Sequence, residues 1–339
     1  MNKFFFVTAP NSPTGGPTLL HQAAKELIEL GFDANMVYDT DNKTLDPVHI
    51  KFKNYNIPYV MNLDLIKTND ILVVPEQFNL IKKYSTIKSK KIIWWLSVDN
   101  YVVSKFYSSL LGKVTKLFLK VFKGSKYIYT EHFEIARKIV SNKSDYISKY
   151  NYQWIQSKYA QEFLKDLNLS SSFVGDYLVE DFSSTPKSIS KENIICYSPF
   201  KGYGISKKII NFNKDFSFVP IQNMSPSEVS NLLSKSKIYI DFGNHPGQDR
   251  IPREARVSDC VVIVGKRGSA INDFDVPISN QYKFPQTMDN NQLNALNTLF
   301  KDIFNNHSIH LGNQSKYLDM IKMQKIKFTN DLKKAIEII

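Results

Sequence analysis

Cysteine is almost missing from this chain: of 339 residues only Cys196 and Cys260 carry a thiol. They lie far apart, each beside an apolar β-like run (IICYSP and CVVIV), and make neither a metal-ligand spacing nor a disulfide framework. Buried free thiols in a reducing cytoplasm are expected. Long apolar runs are also lacking, and none reaches the length that spans a bilayer. The apolar stretch of MNKFFFVTAP stops at Pro10, too short for a signal peptide and right for a first strand. No internal repeat, no low-complexity tail and no nucleic-acid motif appears, which argues against a nucleic-acid partner. Acidic residues are in deficit, 32 against 44 Lys and Arg, leaving a formal charge of +12. That excess points to an anionic partner: nucleic acid, an anionic membrane surface or phosphorylated small molecules.

What is present reads as strand, turn, helix, repeated. At 339 residues the chain is too long for one ordinary core, so two domains are expected. FFFVTA, ANMVY, DILVVP, KIIWWLS, KYIYT and YQWIQ are predicted strands of the first half. A proline- and glycine-rich loop precedes the first helix, with Pro17 near its start and Gly31 at its stop. The polar, aperiodic DFSSTPKSISK breaks the pattern, which restarts with NIICYSP, FSFVPI, KIYIDFG and CVVIVGK. Ser225-Pro226-Ser227-Glu228 is a capping box with proline at the first helical position. Alternation of this kind builds parallel sheets, because each parallel crossover needs a helix. The expected fold is α/β: a Rossmann-like domain over 1–180, a linker over 181–191, a second Rossmann-like domain over 192–312 and a C-terminal helix over 313–339.

The most informative segment is YIDFGNHPGQDRIPREARVSDCVVIVGKRGSA, residues 239 to 270. A strand runs into a polar loop and a helix, and the next strand runs into Gly265-Lys266-Arg267-Gly268-Ser269. In a doubly wound domain ligands sit at the carboxyl ends of strands, where both loops must lie. Glu254, in the first turn of the predicted helix, is placed to hold a ribose diol. Arg250, Arg253, Lys266 and Arg267 are placed to neutralise a diphosphate, and Gly268 and Ser269 to offer it backbone N–H groups. The alternative is a surface loop in which Glu254 serves only the helix dipole.

This segment resembles the donor-binding region of GT-B glycosyltransferases, in which a glutamate at a helix start, followed by a small residue, binds the nucleotide ribose. Glu254-Ala255 matches that dipeptide, and CVVIVGKRGSA is similar to the strand and glycine loop that follow. Many retaining members carry a second glutamate eight positions earlier. Pro246 stands there in this chain, with His245 beside it as a donor-site candidate. GPTLLHQAAKELIELGFDANMVY, opening at Gly16, resembles the family's first glycine loop and helix. In similar enzymes a basic residue after the first strand of the second domain reaches the donor phosphates, and Lys201 in CYSPFKGYG matches it. The Gly202-x-Gly204 pair lacks the third glycine of a dinucleotide fingerprint.

In the first half, WWLSVDN ends a strand in an acid and an amide. Asp99 is the leading candidate for a base or acceptor-binding group, against a plain capping role for Asp99 and Asn100. Glu76 (VVPEQF) and His132 (YTEHF) also follow predicted strands and complete the catalytic candidates. Two acid–x–acid triplets, Asp39-Thr-Asp41 and Asp273-Phe-Asp275, are set aside, since 32 acids in 339 residues give about three such triplets by chance. No metal and no cofactor is expected, the cations taking the charge-neutralising role. Residues 102 to 123 read as one basic amphipathic helix, with Lys113, Lys116, Lys120 and Lys123 on one face, suited to an anionic membrane or to a solvated flank.

The resemblance implies transfer of a sugar from a nucleotide-sugar donor to a glycan or lipid-linked acceptor of a surface polysaccharide. The enzyme would be cytoplasmic, with the basic helix facing the inner membrane surface. A sugar-nucleotide epimerase of the same fold and a non-catalytic basic binding protein are the rival readings.

Overall fold

The computed structural model describes residues 2–41, 46–61, 63–117, 136–137, 145–178 and 190–339 with side chains, and the backbone alone at 118–123. Two parallel sheets are present. The first holds β1 (Phe4–Thr8), β2 (Ala34–Tyr38), β3 (Tyr59–Val60), β4 (Ile71–Pro75), β5 (Lys90–Trp95), β6 (Tyr152–Ile155) and β7 (Ser172–Phe173), in the order β3-β2-β1-β4-β5-β6-β7. The second holds β8 (Glu192–Tyr197), β9 (Ser217–Pro220), β10 (Ser236–Asp241), β11 (Val261–Gly265) and β12 (Lys283–Phe284), in the order β12-β11-β10-β8-β9. Every pairing is parallel. The central strands are apolar and buried on both faces, as parallel strands covered by helices must be. The two-residue strands β3, β7 and β12 were not expected. Predicted strand KYIYT lies outside the described residues, as do positions 181–189 of the expected linker.

Sheet order reverses between β1 and β4 in the first domain and between β8 and β10 in the second, so each sheet opens a crevice at its strand ends. The first helix, Gly15–Glu29, starts two residues before Pro17, and Gly31 follows it at φ 85°. The Ser225 capping box forms as expected, with Pro226 in the first helical position. Residues 102 to 123 do not form one helix. Ser109 breaks the segment into Val98–Ser108 and Leu110–Lys123, its backbone extended and its hydroxyl accepting the Gly112 N–H at 3.0 Å. A side chain at Gly112 would strike the Phe106 carbonyl, so this corner needs glycine.

Helix Ser315–Glu337 joins the two halves. Tyr317 and Ile321 belong to the core of the second domain, while Phe328, Leu332 and Ala335 fill the core of the first. Thr329 donates to Glu26, and the Ile339 carbonyl accepts from Lys90 at 2.6 Å. Arg253, read from the sequence as a diphosphate contact, works at this junction instead. Its guanidinium pairs with both oxygens of Asp176 at 2.8 Å and also donates to Gln324 of the long helix at 2.9 Å. The side chain is buried, so its charge is available to the fold and not to a ligand. Removing one partner of a buried pair strands the other charge. Arg253→Ala is therefore expected to lower stability by about 3–5 kcal/mol, measured by urea denaturation; a change below 1 kcal/mol would show the pair to be incidental.

Candidate active site

The two crevices face each other and enclose a cleft of about 410 Å³, within the range of small-molecule sites. From the first domain it is lined by Thr8 at the end of β1, Gly15-Gly16-Pro17 at the first helix, Glu76 after β4, Asp99 and Asn100 after β5, and Gln156 after β6. From the second domain come Phe200 and Lys201 after β8 and residues 246–250 after β10. The walls meet at Gly247, where a side chain would collide with Gln156 and the Leu96 carbonyl.

Local chemistry fixes each group. Ser97, not Asp99 or Asn100, caps helix Val98–Ser108, accepting from the Asn100 N–H at 3.2 Å. The Asn100 amide donates to Glu76 at 3.1 Å, and the Leu96 N–H donates to the other Glu76 oxygen at 3.1 Å. Each oxygen of Glu76, expected as a catalytic candidate, thus accepts one bond that braces the chain leaving β5. Asp99 is left available. One of its oxygens accepts from the Tyr159 hydroxyl at 3.3 Å, and the other is buried with no hydrogen-bond partner. Burial pushes Asp99 up to about 7, with the nearby Arg267 guanidinium and Tyr159 opposing. Burial likewise pushes Glu76 up to about 7.

Across the cleft Lys201 pairs with Asp249 at 2.7 Å, and Arg250 pairs with Glu254 at 3.2 Å. Behind Asp249 lies His245, fully buried, its Nδ1 3.3 Å from Asp249 and its Nε2 3.6 Å from Asp241. Burial lowers the imidazole's proton affinity, but the two carboxylates outweigh it and the net shift is upward. Desolvation at Lys201 is likewise outweighed by Asp249 and Asp241, and its net shift is upward. Desolvation would raise Asp249, yet Lys201 and His245 hold it far below the usual carboxylate range. Asp241, His245 and Asp249 are the one cluster with metal-ligand chemistry among the described residues. Nδ1 faces the Asp249 carboxylate, Nε2 lies 3.2 Å from the Asp241 backbone carbonyl with the Asp241 carboxylate just beyond, and an ammonium already occupies Asp249. The geometry suits a proton better than a metal ion, which takes a single nitrogen.

The remaining candidates divide. Gly16 and Arg250 line the cleft; His245 stands one layer behind it. Glu254 is nearly buried next to Arg250 but is not itself a lining residue, and desolvation raises it against the pull of Arg250 and Arg253. Lys266, expected to meet a phosphate, is exposed and is not among the residues lining the cleft. Ser269 is also corrected: its N–H donates to the His245 carbonyl at 2.8 Å and its hydroxyl to Gly247 at 2.6 Å. Gly268, at φ 55°, packs where a side chain would strike the His245 and Asn244 carbonyls. Arg267 faces Asp99 rather than a glycine-loop phosphate. His132 lies outside the described residues. The sequence reading missed Asp241, Asp249, Asn244, Gln156 and Tyr159; only Asp249, directly ahead of a predicted helix, offered a local signal.

Two parallel-sheet domains, a cleft between their strand ends and a terminal helix returning to the first domain constitute the GT-B fold. No protein-family model matches the chain, and no curated protein matches it in sequence. The fold is similar to that of Anabaena HepE in complex with UDP-glucose, with a TM-score of 0.63 and 11% identity over 99% of this chain and 100% of that one. It is similar to a glycosyltransferase from Rickettsia africae (TM-score 0.59, 15% identity, 99% and 97% covered). T4 phage BGT in complex with its UDP-glucose substrate is a third (TM-score 0.52, 14% identity, 99% of each chain).

The two raised carboxyls make stability fall with pH. From the ordinary carboxylate range near 4 up to about 7, the folded protein keeps protons that the unfolded chain has lost. Each group then costs roughly 1.4 kcal/mol per pH unit across that window. Asp99→Asn is expected to remove one such slope between about pH 5 and 7, read from urea denaturation at several pH values; an unaltered slope would show Asp99 to be ionised throughout.

Proposed function

We propose that the protein is a nucleotide-sugar-dependent glycosyltransferase whose reaction takes place in the inter-domain cleft. The observation that carries this reading is Asp99, a buried carboxyl near neutrality with one unpartnered oxygen, set across the cleft from Lys201 and Arg250. Thr8 and Asn244, which also line the cleft, each bury a side-chain oxygen without a partner. Unpaired buried acceptors are costly alone and suit a ligand rich in hydroxyl donors. Structures of the same fold solved with UDP-glucose, HepE and T4 phage BGT, support a nucleotide-sugar donor.

In this reading Lys201 and Arg250 turn from their carboxylate partners to the donor diphosphate, and Glu254, released by Arg250, takes the ribose hydroxyls. Asp99 accepts the proton of an acceptor hydroxyl as its oxygen bonds to the anomeric carbon. The bond from that carbon to the phosphate oxygen breaks, and the cations stabilise the departing charge. A carboxyl near 7 suits a general base at neutral pH better than one near 4.

A thermal-shift panel of UDP, GDP, CMP, ADP and dTDP tests the donor site. A matching nucleotide at about a hundred times its dissociation constant should stabilise the fold by roughly 2.7 kcal/mol. Asp99→Asn should bind that nucleotide as wild type does while release of nucleotide from the sugar donor falls on the order of 10²- to 10⁴-fold. Retained turnover in that variant would remove Asp99 from the chemistry.

The acceptor side of the reading is an anionic membrane. Leu110, Leu111, Val114 and Leu117 of helix Leu110–Lys123 are 55–80% exposed, with Lys113 and Lys116 among them. A ridge of leucines flanked by lysines matches an interface with anionic lipid, consistent with a lipid-linked acceptor. No helix of the described residues is long and apolar enough to cross a membrane. Replacing Lys113 and Lys116 by serine should weaken flotation with phosphatidylglycerol vesicles on the order of 30-fold, at about 1 kcal/mol per lysine. Equal flotation of variant and wild type would leave the helix as ordinary surface.

A further inference from the structure

The loop after β11 reaches back to the first domain. Asp275, 3% exposed, accepts from the backbone N–H of Lys158 at 2.8 Å and of Tyr159 at 3.1 Å, the first two residues of helix Lys158–Asp166. The next N–H, that of Ala160, goes to the helix's own cap, Ser157. Helix N-terminal donors are usually met by neighbours in sequence or by water. Here the opposite domain supplies a carboxylate, which the helix dipole also favours. The Asn272 amide also donates to that carboxylate at 2.9 Å, and Phe274 packs edge-on against Phe173 with ring centroids 5.3 Å apart. Tyr159, held by its backbone, donates its hydroxyl to Asp99. An unbroken series of contacts therefore runs from a loop of the second domain to the carboxyl in the cleft of the first.

We propose that Asp275 is a positioning residue which, by capping the helix that carries Tyr159, holds the phenol on Asp99 only while the two domains are together. Closure would then prepare the base. The inference rests on Asp99 acting as that base. The charged groups facing Asp99 are Arg267 and Lys201, which favour its ionised form, and Asp249, which opposes it; Arg137 faces Tyr159. The first three belong to the second domain, so they too act on Asp99 only across the closed cleft. A hydrogen bond donated to a carboxylate favours ionisation. Loss of the Asp275 cap should release Tyr159 and let Asp99 hold its proton to higher pH.

The test is an infrared titration of carboxyl protonation on the full chain without substrate, with the Asp99 band identified by its loss in Asp99→Asn. Tyr159→Phe should raise the Asp99 midpoint by roughly one pK unit. Asp275→Ala should raise it similarly, and the double variant should go no further. Asp275→Asn, which keeps one acceptor oxygen, should fall between wild type and Asp275→Ala. A folded Asp275→Ala protein with an unmoved midpoint overturns the proposal, as does an unmoved midpoint in Tyr159→Phe. If Asp275→Ala does not fold, Asp275→Asn and Tyr159→Phe decide the matter. Because no substrate is added, failure here is distinct from failure of the glycosyltransferase reading, which would appear as wild-type protein without turnover.

Discussion

Arg253 has five N–H donors, and the fold uses every one. Two go to Asp176 at the exit of the first domain, one to Gln324 on the bridging helix, and two to the carbonyls of Gln248 and Asp249 at 2.9 and 3.1 Å. A fully buried guanidinium survives only where its hydrogen-bonding capacity is exhausted. That requirement ties three parts of the chain to one point. It also pins the loop that carries Asp249, and through Asp249 the position of Lys201 at the cleft. The planar fork of arginine makes this possible, since lysine could not meet five acceptors in one plane.

The pinned loop also carries His245 and Asp249 of a second charge group, which Asp241 and the partly exposed Lys201 complete. Asp241, His245, Asp249 and Lys201 balance when the imidazole is protonated, two negative against two positive, and the upward shift at His245 favours that state. Asp241 is further held by the Gly243 N–H at 2.8 Å and the Tyr239 hydroxyl at 2.9 Å. His245 itself adopts a left-handed backbone at φ 46°, rare outside glycine and costly unless its surroundings enforce it. The enforcement is visible: its carbonyl accepts from Ser269, and Gly268 packs directly beneath it. Lys201 is thus a cation at the cleft whose counter-charge is built into the protein.

The sequence carried most of the architecture because parallel sheets announce themselves through short apolar runs alternating with helices. It carried less of the site because charge in a sequence looks alike whatever its environment. Arg250, Arg253, Lys266 and Arg267 were indistinguishable as neighbours along the chain, yet one lines the cleft, one is buried in the junction, one is exposed and one faces Asp99. What separates them is distance folded out of view: the partner of Arg253 is 77 residues away, and that of Asp275 more than 100. Asp275 belonged to a triplet that chance explains, and nothing local betrayed the helix it caps. The strands β3, β7 and β12 went unseen because two residues carry no period. The break at Ser109 was hidden by a helical spacing that continued through it.

The charge of the cleft also weighs on the choice between rival functions. A chain of +12 invites a polyanion, yet the cleft is lined by Asp39, Glu76, Asp99, Asp176 and Asp249 against Lys201 and Arg250. The positive excess therefore lies elsewhere on the molecule. Asp39, Asp176 and Asp249 already have cationic partners in Lys83, Arg253 and Lys201. Burial pushes Glu76 and Asp99 up to about 7, so neither is fully ionised at neutral pH. A surface that binds nucleic acid or any extended polyanion would not place five acids at its centre. A site for a compact ligand with a small anionic end and many hydroxyls needs this mixture: few cations at one wall, acceptors on the other, and a carboxyl poised between its two protonation states.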